Sequence, residues 1–261
     1  MKNNFPLSEF DYGRTPFYAC QYDQRFSYCL YVPRNYDENK KYPLVVIIHG
    51  TERASQEYRN KFIDFAKSTN AIILAPLFPC GIIEPADMDN YKFIKFHDIR
   101  FDMVLLSMID DVALRYSIIK EKFLMHGFSG GGQFAHRFFY LHPDRLLGVS
   151  IGSPGRITYL DTSKAWFNGI ADFEEQFGRP ININELKKVP VQMVVGSKDI
   201  EYLSDYSPYG DNRIERLKSL RNNFEENGIH VQYDEVAGAA HEGFKILPPV
   251  KNFFISILQN E

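Results

Sequence analysis

Residues 118–133 read IIKEKFLMHGFSGGGQ, and within them Ser129 stands between Gly127 and Gly131, where an apolar strand gives way to a glycine-rich helix start. A G-x-S-x-G turn bends the backbone so tightly that only glycine neighbours fit, and it lifts the serine hydroxyl clear of the sheet. Short patterns also arise by chance, so the weight of this one falls on its surroundings.

Those surroundings alternate between short strands and helices. Apolar runs at 44–50 (LVVIIHG), 71–76 (AIILAP), 122–127 (KFLMHG), 145–152 (RLLGVSIG), 191–197 (VQMVVGS) and 230–236 (HVQYDEV) read as strands, most of them continuous enough to be buried on both faces. Ahead of them, 16–22 and 26–32 flank a polar Asp23-Gln24 turn and predict an antiparallel hairpin. Helical spacing appears in Phe101, Val104, Leu105, Met108, Val112 and Tyr116 behind Asp98, a candidate cap. It returns in Phe134, Phe138 and Leu141 before His142-Pro143, and in Ile214, Leu217, Leu220 and Phe224 before Asn227-Gly228. A closing helix carries Val250, Phe253, Phe254, Ile257 and Leu258, with Pro248 and Pro249 in its first turn. The pattern predicts an α/β fold, a mostly parallel eight-stranded sheet with helices on both faces.

Two stretches break this rhythm. Residues 153–188 contain Trp166, Phe167, Ile170, Phe173 and Phe177 at helical spacing and predict a small lid insertion. Residues 77–97 follow a strand end, where ligand sites of α/β sheets gather, and hold Tyr91, Phe93 and Phe96. With no linker or low-complexity tract, residues 1–261 are expected to form one domain.

Composition excludes several function classes. A net charge of −3, with lysines and arginines scattered, gives no footprint for nucleic acid. The amino terminus lacks a signal-peptide core, and no apolar run reaches membrane-spanning length, so a cytoplasmic protein is expected. Cys20, Cys29 and Cys80 show neither paired nor C-x-x-C spacing, which argues against a disulfide framework or a zinc site. His97, Asp98 and Asp102 form no metal-ligand spacing and read as helix capping. Nothing in the sequence fixes an oligomeric state.

A serine hydroxyl is a weak nucleophile at neutral pH. It needs a histidine to take its proton and an acid to hold that imidazole in the right tautomer. Asp199 follows the strand VQMVVGS and His241 follows HVQYDEV, each on a loop at a strand's carboxyl end and in the order Ser, Asp, His. Glu201 and Asp205 are close enough in sequence to compete with Asp199. The bland alternatives are a helix-starting turn at Ser129 or a phosphate cradle. A phosphate loop would place lysine where Gln133 stands, and no dinucleotide fingerprint is present.

At these residues the chain resembles the α/β-hydrolase superfamily: the elbow His126-Gly127-Phe128-Ser129-Gly130-Gly131, the pair His49-Gly50, the turn Gly196-Ser197-Lys198-Asp199 and the His241 loop. Residues 109–155 are similar to polyhydroxybutyrate depolymerase-like and feruloyl-esterase-like serine esterases. The resemblance implies a carboxylic ester hydrolase without cofactor or metal, working through an acyl-enzyme. It implies backbone oxyanion donors at Gly130 and Thr51, and the location of the aromatic residues in 77–97 and 153–188 suggests a small ester substrate of apolar or aromatic character. Candidate pocket residues are Phe128, Tyr91, Phe93 and Trp166. The same apparatus serves peptidases, amidases, thioesterases and lactonases, and a non-catalytic binding member of the fold remains an alternative. His126 and His49 are read as braces for the backbone rather than as reacting groups.

Overall fold

A computed structural model describes residues 6–204 and 207–260. In chain order its strands are β1 (Gly13–Ala19), β2 (Ser27–Val32), β3 (Leu44–Ile48), β4 (Ile72–Leu77), β5 (Lys95–Phe96), β6 (Ile99–Arg100), β7 (Phe123–Phe128), β8 (Leu146–Gly152), β9 (Val191–Gly196) and β10 (Val231–Val236). Its helices are α1 (Ser55–Lys61), α2 (Ile63–Thr69), α3 (Phe101–Arg115), α4 (Gly130–Leu141), α5 (Phe173–Phe177), α6 (Ile183–Leu186), α7 (Arg213–Glu226) and α8 (Leu247–Leu258). Eight strands form one sheet in the order β1-β2-β4-β3-β7-β8-β9-β10, and β5 with β6 forms a separate two-residue hairpin. The chain divides into two compact units, one through Met125 and one from His126.

In the first unit β1 pairs antiparallel with β2, β2 antiparallel with β4, and β4 parallel with β3. The first strand of the hairpin lies three residues nearer the amino terminus than its sequence suggests, with Pro16 inside β1 rather than opening it, while β2 falls within the expected 26–32. Pro16 lacks an N–H, and the register slips between Arg14 and Phe17 to accommodate it. The core of this unit is the apolar run of β3 (Val45, Val46, Ile47, Ile48) against β4 (Ile72, Ile73, Leu74, Ala75), all without exposed surface. Each such side chain contributes roughly 1.5–3 kcal/mol through burial.

Helices α1 and α2 have no counterpart in the sequence reading of 51–70, although Tyr58, Phe62, Phe65 and Ala66 are buried at helical spacing. The helix is broken at Phe62 (φ −97°, ψ 3°), which leaves two pieces of seven residues, each too short for a clear periodic signal. Asp98 does not cap α3. It occupies the β5–β6 turn, and the N-cap is Arg100, whose guanidinium pairs with Asp102 at 2.6 Å in the helix's first turn. His97 pairs instead with Glu84, so His97, Asp98 and Asp102 converge on no common point.

In the second unit β8, β9 and β10 run parallel. Helix α4 packs on β8, α7 on β9 and β10, and α8 on β8 and β9. Helix α8 begins at Leu247 with both prolines in its first turn, where their missing N–H groups cost nothing. In the 153–188 segment, helix forms only at α5 and α6, and residues 166–172 are turns. The aromatic spacing there instead serves a cluster, with Trp166 edge-on to Phe173 at 5.6 Å and to Phe177 at 4.9 Å. Among the described residues no helix is long and apolar enough to cross a membrane.

Candidate active site

The end of β7 turns directly into α4, and Ser129 is the hinge. Its backbone (φ 56°, ψ −114°) lies in a region that a residue with a side chain enters only at a cost of about 1–3 kcal/mol. Two backbone bonds hold it there: the Ser129 N–H donates to the Gly152 carbonyl at 2.9 Å, and the Ser129 carbonyl accepts from the Gln133 N–H at 3.0 Å. The turn is so tight that a Cβ at Gly127 would collide with the Gly131 carbonyl, which is backbone and cannot swing aside. Gly127→Ala is therefore expected to lose about 2–4 kcal/mol of stability, read as a lowered urea midpoint. An unchanged midpoint would mean that the turn is looser than this.

The partners arrive from β9 and β10. Those strands pair in parallel with Val236 beside Gly196, so the two loops leaving them begin side by side. Their backbones are then stitched together: the Ser197 N–H donates to the Val236 carbonyl at 2.9 Å and the Lys198 N–H to the Ala239 carbonyl at 2.8 Å. Gly196 permits this approach, since a Cβ there would strike the carbonyls of Ala239 and Ala240. Asp199 lies three residues beyond Gly196 and His241 five beyond Val236, and the paired loops bring them face to face.

His241 Nε2 lies 3.0 Å from Ser129 Oγ, and His241 Nδ1 lies 2.7 Å from Asp199 Oδ2. The network assigns the tautomer: Nδ1–H donates to the carboxylate, which leaves Nε2 to accept the serine proton. The Asp199 carboxylate is fully buried, while the His241 side chain keeps 26% of its surface exposed. Burial works to raise the Asp199 carboxyl. The hydrogen bond from His241 and the positive charges of His241 and Arg213 outweigh it and hold the acid below its ordinary value. The Phe128 ring lies 4.6 Å from the His241 imidazole, forming an apolar wall beside it.

Glu201, one of the two competitors for the acid's place, does not reach His241. Its carboxylate, 70% exposed, takes a hydrogen bond from Arg213 Nη1 at 3.0 Å. The other, Asp205, lies outside the described residues. The same Arg213 nitrogen donates to Asp199 Oδ1 at 3.2 Å. The sequence reading passed over this arginine. Fourteen residues separate it from Asp199, and the only local mark of its place is the helix start, where the Asn212 side chain caps α7 by accepting from the Glu215 N–H.

Gly130 is the first residue of α4, and its N–H has no intrahelical acceptor, as at every helix amino terminus. Trp166 is half-buried in the cluster with Phe173 and Phe177. Thr51, Tyr91 and Phe93 belong to the first unit. The Thr51 carbonyl accepts from Arg53 Nη1 at 2.6 Å. Tyr91 has no exposed surface, donates its hydroxyl to the His49 carbonyl at 3.0 Å and stacks on Phe78, so it braces its loop. Phe93 ends a 3-10 turn there, half-buried.

Two buried histidines brace the backbone. His49 spans from the Gly50 carbonyl to the Phe78 N–H, and His136 from the Gly132 carbonyl to the Thr158 N–H. Directly before the elbow, His126 Nδ1 lies 3.0 Å from Ser150 Oγ, which donates on to Gln192.

No protein-family model and no curated protein sequence matches the chain. Solved structures do. Poly(aspartic acid) hydrolase-1 from Sphingomonas sp. KT-1 superposes with a TM-score of 0.73 at 20% identity, covering 87% of this chain and 92% of its own. The poly(3-hydroxybutyrate) depolymerase LpqC from Bordetella parapertussis gives 0.72 at 21% identity, covering 88% and 84%. An S-formylglutathione hydrolase from Agrobacterium tumefaciens gives 0.64 at 14%, covering 90% and 89%. At these identities the likeness is one of fold, and it agrees with the strand order and the antiparallel first pair: the chain has the α/β-hydrolase fold.

Proposed function

We propose that the chain is a serine hydrolase that cleaves carboxylic esters through an acyl-enzyme. The observation that carries this reading is the hydrogen-bonded run from Ser129 through His241 to Asp199, at 3.0 and 2.7 Å, with the serine on a strained turn at a helix amino terminus. A poly(3-hydroxybutyrate) depolymerase and an S-formylglutathione hydrolase share the fold, which supports a hydrolase.

The chemistry follows from the geometry. His241 Nε2 takes the Ser129 proton as Oγ attacks the carbonyl carbon, and the carbonyl π electrons move to oxygen. Asp199 stabilises the imidazolium that results. The Gly130 N–H, at the positive end of α4, donates to the oxyanion; for a second donor the Thr51 N–H is the sequence's candidate. One such bond is worth roughly 2.7–4 kcal/mol in the transition state. His241 then protonates the departing alkoxide, and the acyl group stays on Oγ. In the second half His241 deprotonates water, which attacks the acyl carbon and returns Ser129 with release of the acid. Phe128 beside the imidazole supports an acyl or alcohol group of apolar character.

A fluorophosphonate probe tests the nucleophile without knowledge of the substrate. Labelling is expected on Ser129 alone, with the adduct mapped by peptide mass. A panel of ester, thioester, lactone and aspartyl-amide substrates then fixes the bond cleaved, the amide arm answering to the poly(aspartic acid) hydrolase neighbour. An intact protein that the probe leaves unlabelled would return the chain to the non-catalytic members of the fold.

A further inference from the structure

The two oxygens of the triad acid hold different partners. Asp199 Oδ2 faces the imidazole, while Oδ1 accepts from Arg213, and the same guanidinium nitrogen also binds Glu201. One nitrogen thus bridges a fully buried carboxylate and a largely exposed one. The Arg213 side chain is only 13% exposed, and its Nε has no hydrogen-bond partner among the described residues. An unpaired buried guanidinium donor is unfavourable, so what holds the arginine at this place is its pairing with the two carboxylates.

We propose that Arg213 is a positioning residue for the reaction: acting through Asp199, it fixes the carboxylate with Oδ2 toward His241 and sets how strongly that acid favours the imidazolium, with Glu201 moderating its charge. The inference rests on the triad reading of Ser129, His241 and Asp199.

A carboxylate with one partner can turn about its Cβ–Cγ bond and swap oxygens or leave the imidazole edge. A second donor on the other oxygen removes that freedom, and Arg213 comes from the start of α7, an element fixed by its own cap. Electrostatically, a cation on Asp199 offsets part of the negative charge that would hold a proton on His241. An acid that stabilised the imidazolium too well would keep His241 charged, and so unable to accept the serine proton, at higher pH. Arg213 therefore offsets part of the pull of Asp199 on the imidazolium. Glu201 opposes it and, being exposed, does so weakly and in a salt-dependent way. The other charged pair of the His241 loop is Glu242 with Lys245 at 2.8 Å, and the Glu242 carboxylate also accepts from the Ala240 N–H at 3.2 Å.

The test is the His241 titration followed by NMR of the imidazole Cε1–H, the resonance being assigned by its loss in His241→Gln. Alongside it runs the pH dependence of fluorophosphonate labelling in the full chain. Arg213→Met is expected to raise the imidazole pKa by about half a unit or more, and to move the acidic limb of labelling upward by the same amount. Arg213→Lys, which keeps the charge, recovers most of that shift. Glu201→Gln moves it the other way, by less, and the effect fades at about 0.5 M salt. A role confined to folding would lower the amount of active protein without moving either curve, and that result overturns the proposal. So does a downward shift in Arg213→Met. If Arg213→Met does not fold, Glu201→Gln decides: an imidazole that stays where it was overturns the proposal. The titration needs no turnover. Failure to label Ser129 in the parent protein would sink the hydrolase reading, while the NMR shifts would still judge Arg213.

Discussion

Ser129→Ala is expected to lower kcat on any ester the protein hydrolyses by about 10⁴-fold or more, with the melting temperature unchanged within a few degrees. The size follows from what is removed. Without Oγ no acyl-enzyme can form, and only the oxyanion donor and substrate binding remain to assist water. The fold should tolerate the change because alanine keeps the Cβ, so the strained turn at φ 56° is neither relieved nor worsened, and the bond lost is one to a part-exposed imidazole. His241→Ala should cost a comparable factor, and the double variant should be no slower than either single one, since the two act as a unit. Asp199→Asn offers a contrast. It should slow turnover by leaving the imidazole in the wrong tautomer, and it should also destabilise the protein by stripping Arg213 of its buried counter-charge. Steady-state kinetics and thermal melts on the four variants decide the matter; a Ser129→Ala protein that keeps more than about a tenth of the activity would end the assignment.

How much of this was legible in the sequence depends on whether the determinant is local. Six of the eight sheet strands, β2, β3, β4, β7, β8 and β9, were, because a strand buried on both faces must be apolar along its length, and runs such as LVVIIHG and VQMVVGS have no other economical reading. The elbow was legible for a similar reason. The close approach of Gly127 to the Gly131 carbonyl requires glycine in sequence before any tertiary contact exists. What failed was helix placement in the connecting segments. The aromatic residues of 166–177 are spaced as on a helix, yet Trp166 packs edge-on to Phe173 and Phe177 from a turn, because side-chain clustering can satisfy that spacing with several backbones. Asp98 looked like a cap but sits in a two-residue hairpin too short to show a period of two.

The candidate site divides along the same line. Asp199 and His241 could be placed because each follows a strand, and parallel strands in one sheet deliver their carboxyl-end loops to the same edge. The preference for Asp199 over Glu201 could not be read locally. It depends on the stitching of Lys198 to Ala239, which sets how far along the loop His241 reaches. Arg213 was out of reach of any pattern. Its contact with Asp199 depends on the path of the loop between them and on where α7 begins.

The second large effect concerns stability and pH. His49, His126 and His136 are fully buried, and burial, the largest cause in each, pushes His49 and His126 down to about 3 and His136 well below its ordinary value. In the unfolded chain each titrates near 6.5. Folded values lie below unfolded ones, so between these limits the unfolded chain binds protons that the folded one refuses. Stability is therefore complete above about pH 6.5 and falls as the pH drops below it. Each histidine removes about 2 kcal/mol by pH 5, a figure that hardly depends on how far below 5 its folded value lies. The three together remove about 6 kcal/mol, comparable with the whole net stability of many domains. Depressed carboxylates such as Asp199 add to the loss only at lower pH, since their unfolded values lie near 4. Urea midpoints at pH 7, 6 and 5 should accordingly fall steeply, well before the carboxylates titrate. His136→Gln should flatten that dependence by one proton even if its midpoint at pH 7 is lower, because glutamine can still meet the Gly132 carbonyl and the Thr158 N–H without a charge to gain. A midpoint that stays level from pH 7 to 5 would show that these imidazoles protonate inside the fold, and the bracing role assigned to His49 and His136 would fall with it.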